Sequence, residues 1–191
     1  MRINIDLSKK SIENAIKQIK AVQKKVQKDL PRVYLQKCVD WIKKTANFNL
    51  KTHYLSDDIV SKIENAWKTE FLSNNYIRLV NTEDTATYLE FGVGVVGQGN
   101  RHTVATNAGY KYNVPSEYKK EDGSWRFYLE EGEGVDLNVG TYNVSYTQNG
   151  KKKVVTKGSP ANMFLFKAMK EFETSGAYKT LWEQAKAEVI G

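Results

Sequence analysis

Four glycines fall within eight positions near the middle of the chain, at Gly92, Gly94, Gly97 and Gly99. Read literally, Gly92-x-Gly94-x-x-Gly97 is the fingerprint of a dinucleotide site. Such a site needs a strand before the glycines and an apolar-faced helix after them, whose N-terminus holds the pyrophosphate. Here the run before them, with Ala86, Tyr88, Leu89 and Phe91, reads as a short helix. The run after them, Gln98-Gly99-Asn100-Arg101-His102-Thr103, is loop chemistry. No alternation of strands and helices surrounds the stretch, so the doubly wound reading is set aside. The glycines are expected to turn the backbone sharply, or to let it pass close to another chain.

The 191 residues fit one domain of ordinary size, 40% of them hydrophobic and 27% charged. Three parts are expected within it: a helical part over 8–50, a hairpin and sheet part with a long central loop over 51–157, and C-terminal helices over 158–191. No run of 18 apolar residues occurs, so no membrane span is expected. Met1–Leu7 alternates in polarity and does not read as a signal peptide. The single Cys38 excludes an internal disulfide framework and reads as a small core residue. Two histidines, His53 and His102, leave little material for metal or acid–base chemistry.

Along the chain, Ile3, Ile5 and Leu7 suggest a short strand or arm, and Ser8 or Ser11 can cap a helix beginning there. Ile12, Ala15, Ile16, Ile19, Val22, Val26 and Leu30 then recur at spacings of three and four, a narrow apolar stripe on a long helix. A narrow stripe buries little area, so this helix is expected outside the domain or against a neighbouring subunit. Pro31 kinks it or starts a second helix, whose apolar face includes Leu35, Cys38, Val39, Ile42 and Ala46. Asn47 to Leu55 reads as a connection. Asp57-Asp58 opens a short helix. Two β-propensity runs flank Asn74-Asn75, which predicts an antiparallel hairpin. Gly92 to about Asp122 reads as a long loop. Trp125–Leu129 reads as a strand, Glu130-Glu131-Gly132-Glu133-Gly134 as an acidic turn. Asn149-Gly150 between Thr141–Tyr146 and Lys151–Thr156 predicts a second hairpin. After Gly158 and Pro160, Ala161, Phe164, Leu165, Ala168, Met169 and Phe172 predict a wide-faced helix. Ser175-Gly176 ends it, and Leu181, Ala185 and Val189 mark a last one. The fold class expected is α+β, with a long N-terminal helix or kinked helix pair, a small mostly antiparallel sheet with hairpins, and C-terminal helices packed on it.

Charge is uneven. Residues 1–50 hold 12 Lys/Arg and 4 Asp/Glu, a net of +8, whereas residues 51–191 hold 17 and 18, a net of −1. Lys17, Lys20, Lys24, Lys25 and Lys28 form either a solvated helix face or a face toward a polyanion. Lys151-Lys152-Lys153 could touch phosphates or simply solubilise a hairpin tip. Glu90, Arg101 and His102 flank the glycines, and Glu90 with His102 could make an acid–base pair. No second carboxylate, nucleophile or ligand spacing accompanies them, so no catalytic, cofactor-binding or metal residue is assigned.

Two stretches together, Thr85–Gly99 and Lys157–Glu173, carry a resemblance. The chain resembles the "gene product ten" tail-component family of lambdoid long-tailed phages, also called head–tail joining or tail-completion proteins. That family shows a long N-terminal helix, a short helix, a β-hairpin, a segment ending in Glu-Phe-Gly, a variable glycine-rich loop, and a closing small-Pro-Ala-x-x-Phe helix. The matching parts here are Ser8–Asn47, Ser56–Glu64, Trp67–Val80, Ala86-Thr87-Tyr88-Leu89-Glu90-Phe91-Gly92 and Gly158-Ser159-Pro160-Ala161-Asn162-Met163-Phe164. Trp125–Thr156 looks like the tryptophan strand and hairpin of members from phages of Gram-positive hosts. Val93 stands where the family often has Thr.

The resemblance implies a structural virion protein of the neck, not an enzyme, that needs no cofactor and forms or completes a ring, expected to be a hexamer. Its implied partners are the phage connector and tail-tube proteins, with non-specific contact to passing DNA and no membrane. Its implied location is the virion neck or tail, after assembly in the host cytoplasm. Heterologous rings need two complementary patches. The sequence offers the N-terminal helix and a candidate contact loop of Glu90, Phe91, Gly92, Gly94, Gly97 and Gly99. Two other readings stand beside this one: a nucleic-acid-binding module on the lysine face, and a hydrolase or nuclease using Glu90 and His102.

Overall fold

The computed structural model of the chain describes residues 8–51, 57–105, 107, 109–112, 121, 123–129, 142–146 and 152–191. The expected arm at Ile3–Leu7, the acidic Glu130–Gly134 run, the Asn149-Gly150 turn, Lys151 and His53 lie outside the described residues. The class is α+β, as expected: a long N-terminal helix, small antiparallel sheets and C-terminal helices. The order is α1 (Lys9–Lys51), α2 (Asp57–Asn65), β1 (Trp67–Ser73), β2 (Tyr76–Asn81), α3 (Asp84–Phe91), α4 (Gly94–Gly99), β3 (Trp125–Leu129), β4 (Tyr142–Tyr146), β5 (Lys152–Thr156), β6 (Gly158–Ser159), α5 (Phe164–Ser175) and α6 (Ala177–Ile190).

Helix α1 begins at Ser8, whose Oγ accepts the Ser11 N–H at 3.3 Å, the bond an N-cap makes. It runs for 43 residues with Pro31 inside it, so the expected pair is one helix. Nor does it stop at Asn47. Leu50 is fully buried, the Asn47 Oδ1 accepts the Trp67 indole N–H at 2.8 Å, and the Asn49 side-chain amide donates to the Phe164 carbonyl. Tertiary partners thus hold two residues of modest helix propensity in the last turns.

Residues group into two compact units, one of 1–43, 68–80 and 169–191, the other of 44–67 and 81–168. In the first, α1 meets the C-terminal helices through rings. Tyr34 meets Trp182 edge-on at 5.2 Å and Trp41 meets Phe172 at 5.4 Å, with Lys37 and Glu188 paired at 2.8 Å. Leu30, Cys38, Val39 and Ala185 are buried there, and the Arg32 guanidinium lies 4.4 Å over the Phe71 ring of β1. Strands β1 and β2 form the hairpin expected around Asn74-Asn75.

The second unit holds the largest fully buried side chains: Phe164, Leu50, Ile63 and Val154. Each stabilises by about 1.5–3 kcal/mol relative to exposure. Its sheet has the order β3-β5-β4, antiparallel throughout, with Val144 and Phe127 both opposite Val154. The side chain of Val154 explains the central strand: it is the only fully buried residue of β5 among those described. Helix α5 is narrower-faced than its composition suggests. Phe164 and Ala168 are buried, but Met169 is 49% exposed.

Candidate functional site

Residues 94–99 form a short helix, α4, where the sequence predicts a loop, and Glu90, Gly92, Gly94 and Gly97 are buried. Phe91 is half-buried, and Gly99 alone of the six residues offered as a contact loop is exposed. Gly92, Gly94 and Gly97 pack against this chain's own Gly158–Ala161 segment. Val93 bridges Ser159, Gly94 bridges Gly158, and the Val96 N–H donates to the Lys157 carbonyl at 3.2 Å. These bonds help to hold a helical turn that contains three glycines, Gly94, Gly97 and Gly99. Gly94 pairs with Gly158 of β6, and the missing side chain of Gly97 lets the Ser159 carbonyl lie close.

Two glycines make the approach possible. Gly92 has φ +78°, and a Cβ there would stand 2.7 Å from the Ala161 nitrogen and 2.8 Å from the Ser159 oxygen. Gly158 has φ +105°, and a Cβ there would collide with the Val93 carbonyl. Leu89 and Glu90 extend the seam. Their carbonyls accept the N–H groups of Asn162 at 2.7 Å and Met163 at 3.2 Å. Met163 itself adopts φ +61°, a left-handed conformation that a side chain rarely takes.

The Glu90 carboxylate completes the joint. Its Oε2 accepts the Leu165 N–H and its Oε1 the Phe166 N–H, both at 2.9 Å. These are orphan donors in the first turn of α5, where a negative charge is favoured. Glu90 therefore caps α5 from 75 residues away. His102 adds a third bond, with Nε2 3.1 Å from Oε1 of Glu90. Its Nδ1 accepts the Val104 N–H at 3.1 Å, which assigns the ring proton to Nε2 as donor to Glu90.

Aromatic rings surround the pair. Phe91 and Phe166 each stand 4.9 Å from the His102 ring, and Tyr110 stacks on Phe91 at 4.7 Å. The Tyr110 hydroxyl donates to the Gly92 carbonyl at 2.7 Å, and the Tyr112 hydroxyl accepts the His102 backbone N–H at 3.0 Å. Burial, reinforced by Tyr88 and Tyr112 nearby, pushes the Tyr110 hydroxyl up to about 12.

Glu90 and His102 do converge, as the hydrolase reading requires, but in packing rather than in a cleft. They are 8% and 3% exposed, both carboxylate oxygens hold backbone donors, and both ring nitrogens are engaged. Arg101 turns elsewhere, its Nε donating to the Gln98 carbonyl at 3.3 Å from an exposed position. Among the described residues, no three His, Cys, Asp or Glu side chains gather to hold a metal ion, and no helix is long and apolar enough to cross a membrane. Tyr110, Tyr112 and Phe166 are the members of the joint that sequence reasoning missed. The alternation of Tyr110 and Tyr112 was a usable signal, since a spacing of two places both rings on one side of extended backbone.

Lys17, Lys20, Lys24, Lys25 and Lys28 are all exposed on α1. None forms an ion pair among the described residues. No family model, curated protein or solved structure matches the chain.

Proposed function

We propose that this chain is a structural protein of a phage neck, one that joins or completes the head–tail interface by assembling into a ring. The observation that carries the reading is the joint between Glu90-Phe91-Gly92 and Gly158–Phe164. These are the two motifs on which the family resemblance rests, and they are each other's binding partners. Their spacing in the sequence then has a physical reason. The glycines clear a path for the closing segment, and the carboxylate caps the closing helix. The groups that could have served acid–base chemistry are consumed by this joint, which favours a scaffold over an enzyme.

Mixing the purified chain with the connector and tail-tube proteins of the same phage tests the reading. A mass-resolved ring, or a defined complex with either partner, is the expected result. A chain that stays monomeric and binds neither at high concentration contradicts it. The second reading, a nucleic-acid-binding module, draws on the five exposed lysines of α1. It expects duplex DNA binding that falls steeply as salt rises, and no binding at low salt removes it.

A further inference from the structure

Helix α1 leaves one row of its apolar stripe exposed over Ile12–Val26, while Ala15 beside it is buried and Val22 is half-buried. Ile12, Ile16, Ile19 and Val26 are 42%, 46%, 52% and 37% exposed. Their spacings are four, three and seven residues, the two seam positions of a heptad repeat, with Gln23 at the missing position. Leu30 continues the series and is buried. Ala15 and Val22 widen the face on one side and are buried or half-buried, so the part left exposed is the two-position row alone, which matches the knob-and-hole packing of one other helix. Charge then specifies the partner. Residues 9–30 carry seven lysines against Glu13 and Asp29. Lys17, Lys20 and Lys24 lie on one flank of the seam, exposed and without ion pairs among the described residues.

We propose that Ile12–Val26 is a docking seam for an amphipathic helix of another protein, one with apolar seam residues and glutamate or aspartate beside them. A second copy of α1 is the poorer occupant, because it would set one lysine-rich segment beside another. An anionic membrane fits less well, since no aromatic residue lies between Lys9 and Asp29 to anchor the helix in an interface. DNA on the lysines would leave the isoleucines in water. The proposal stands on the helix itself and does not depend on the neck assignment.

The probe is a pair of synthetic helical peptides of three heptads with Ile and Leu at the seam, flanked in one by Glu and in the other by Lys. Amide chemical shifts of the full chain are recorded during titration with each. The expected result is shifts over residues 12–26 with the Glu peptide, at an affinity at least tenfold above that for the Lys peptide. Ile16→Gln with Ile19→Gln, substitutions at exposed positions, is expected to weaken the Glu peptide by at least tenfold while circular dichroism stays unchanged. Lys17→Glu with Lys20→Glu and Lys24→Glu is expected to reverse the preference. Equal affinity for both peptides, or none for either, overturns the proposal. So does self-association that Ile16→Gln with Ile19→Gln abolishes, or binding of phosphatidylserine vesicles or duplex DNA in its place.

Discussion

A single methyl group added at residue 92 meets backbone on two sides, at Ala161 and Ser159, and sits on a left-handed φ. Gly92→Ala is therefore expected to lower stability by about 1–3 kcal/mol, read from urea unfolding. Glu90 is the second sensitive residue. Glu90→Ala removes the carboxylate that accepts the Leu165 and Phe166 N–H groups, at an expected cost of about 2–4 kcal/mol. Glu90→Gln keeps one acceptor oxygen and is expected to fall between wild type and Glu90→Ala. A Glu90→Gln variant as stable as wild type would mean that Glu90 acts by bulk rather than as a two-oxygen cap. Tyr110 gives the joint a pH dependence. Its folded hydroxyl titrates at about 12, above the ordinary 10, so the folded state holds the proton more tightly. The stabilisation is whole below pH 10 and is lost as pH rises from about 10 through about 12. Tyr34 is pushed up to about 12 as well, by burial first and by its hydrogen bond to Cys38, and shares that window. Alkaline unfolding followed by circular dichroism should show a midpoint shift in Tyr110→Phe relative to wild type.

Among the elements, α1 holds the clearest conflict between local preference and observed structure. Pro31 removes one backbone hydrogen bond, to the Gln27 carbonyl, and crowds that carbonyl. Pro31→Ala is expected to stabilise the chain by up to about 3 kcal/mol, raising the thermal midpoint. No change would show that the helix already relieves the proline locally. The hairpins were legible because their turn and strand residues are local signals: Asn74-Asn75 sits between two β-propensity runs, and the β4–β5 pairing joins the two runs on either side of Asn149-Gly150. The break at Ser175-Gly176 was legible for the same reason, since Gly176 takes the left-handed conformation between α5 and α6. The joint was not. Glu90 caps a helix 75 residues away, and the Ser159 carbonyl lies where a Cβ on Gly97 would stand, facts that no window around either residue contains. Asn47 and Asn49 fail as sequence signals in the same way, being held in α1 by Trp67 and Phe164.

For the whole molecule, the location of exposed chemistry separates the readings. The groups at Glu90 and His102 are internal, whereas the lysines and isoleucines of α1 face outward. Contacts with partners are therefore expected on α1, and effects on folding at the joint. Variants then sort into two kinds. Gly92→Ala and Glu90→Ala should lower assembly only as far as they lower folding, whereas Ile16→Gln with Ile19→Gln should leave the unfolding free energy within about 0.5 kcal/mol of wild type. Electron microscopy of phage particles made with this gene deleted bears most directly on the neck assignment. Filled heads and separate, unattached tails are the expected result, restored to joined particles when the gene is supplied in trans. Intact, infectious virions in the deletion strain would contradict it.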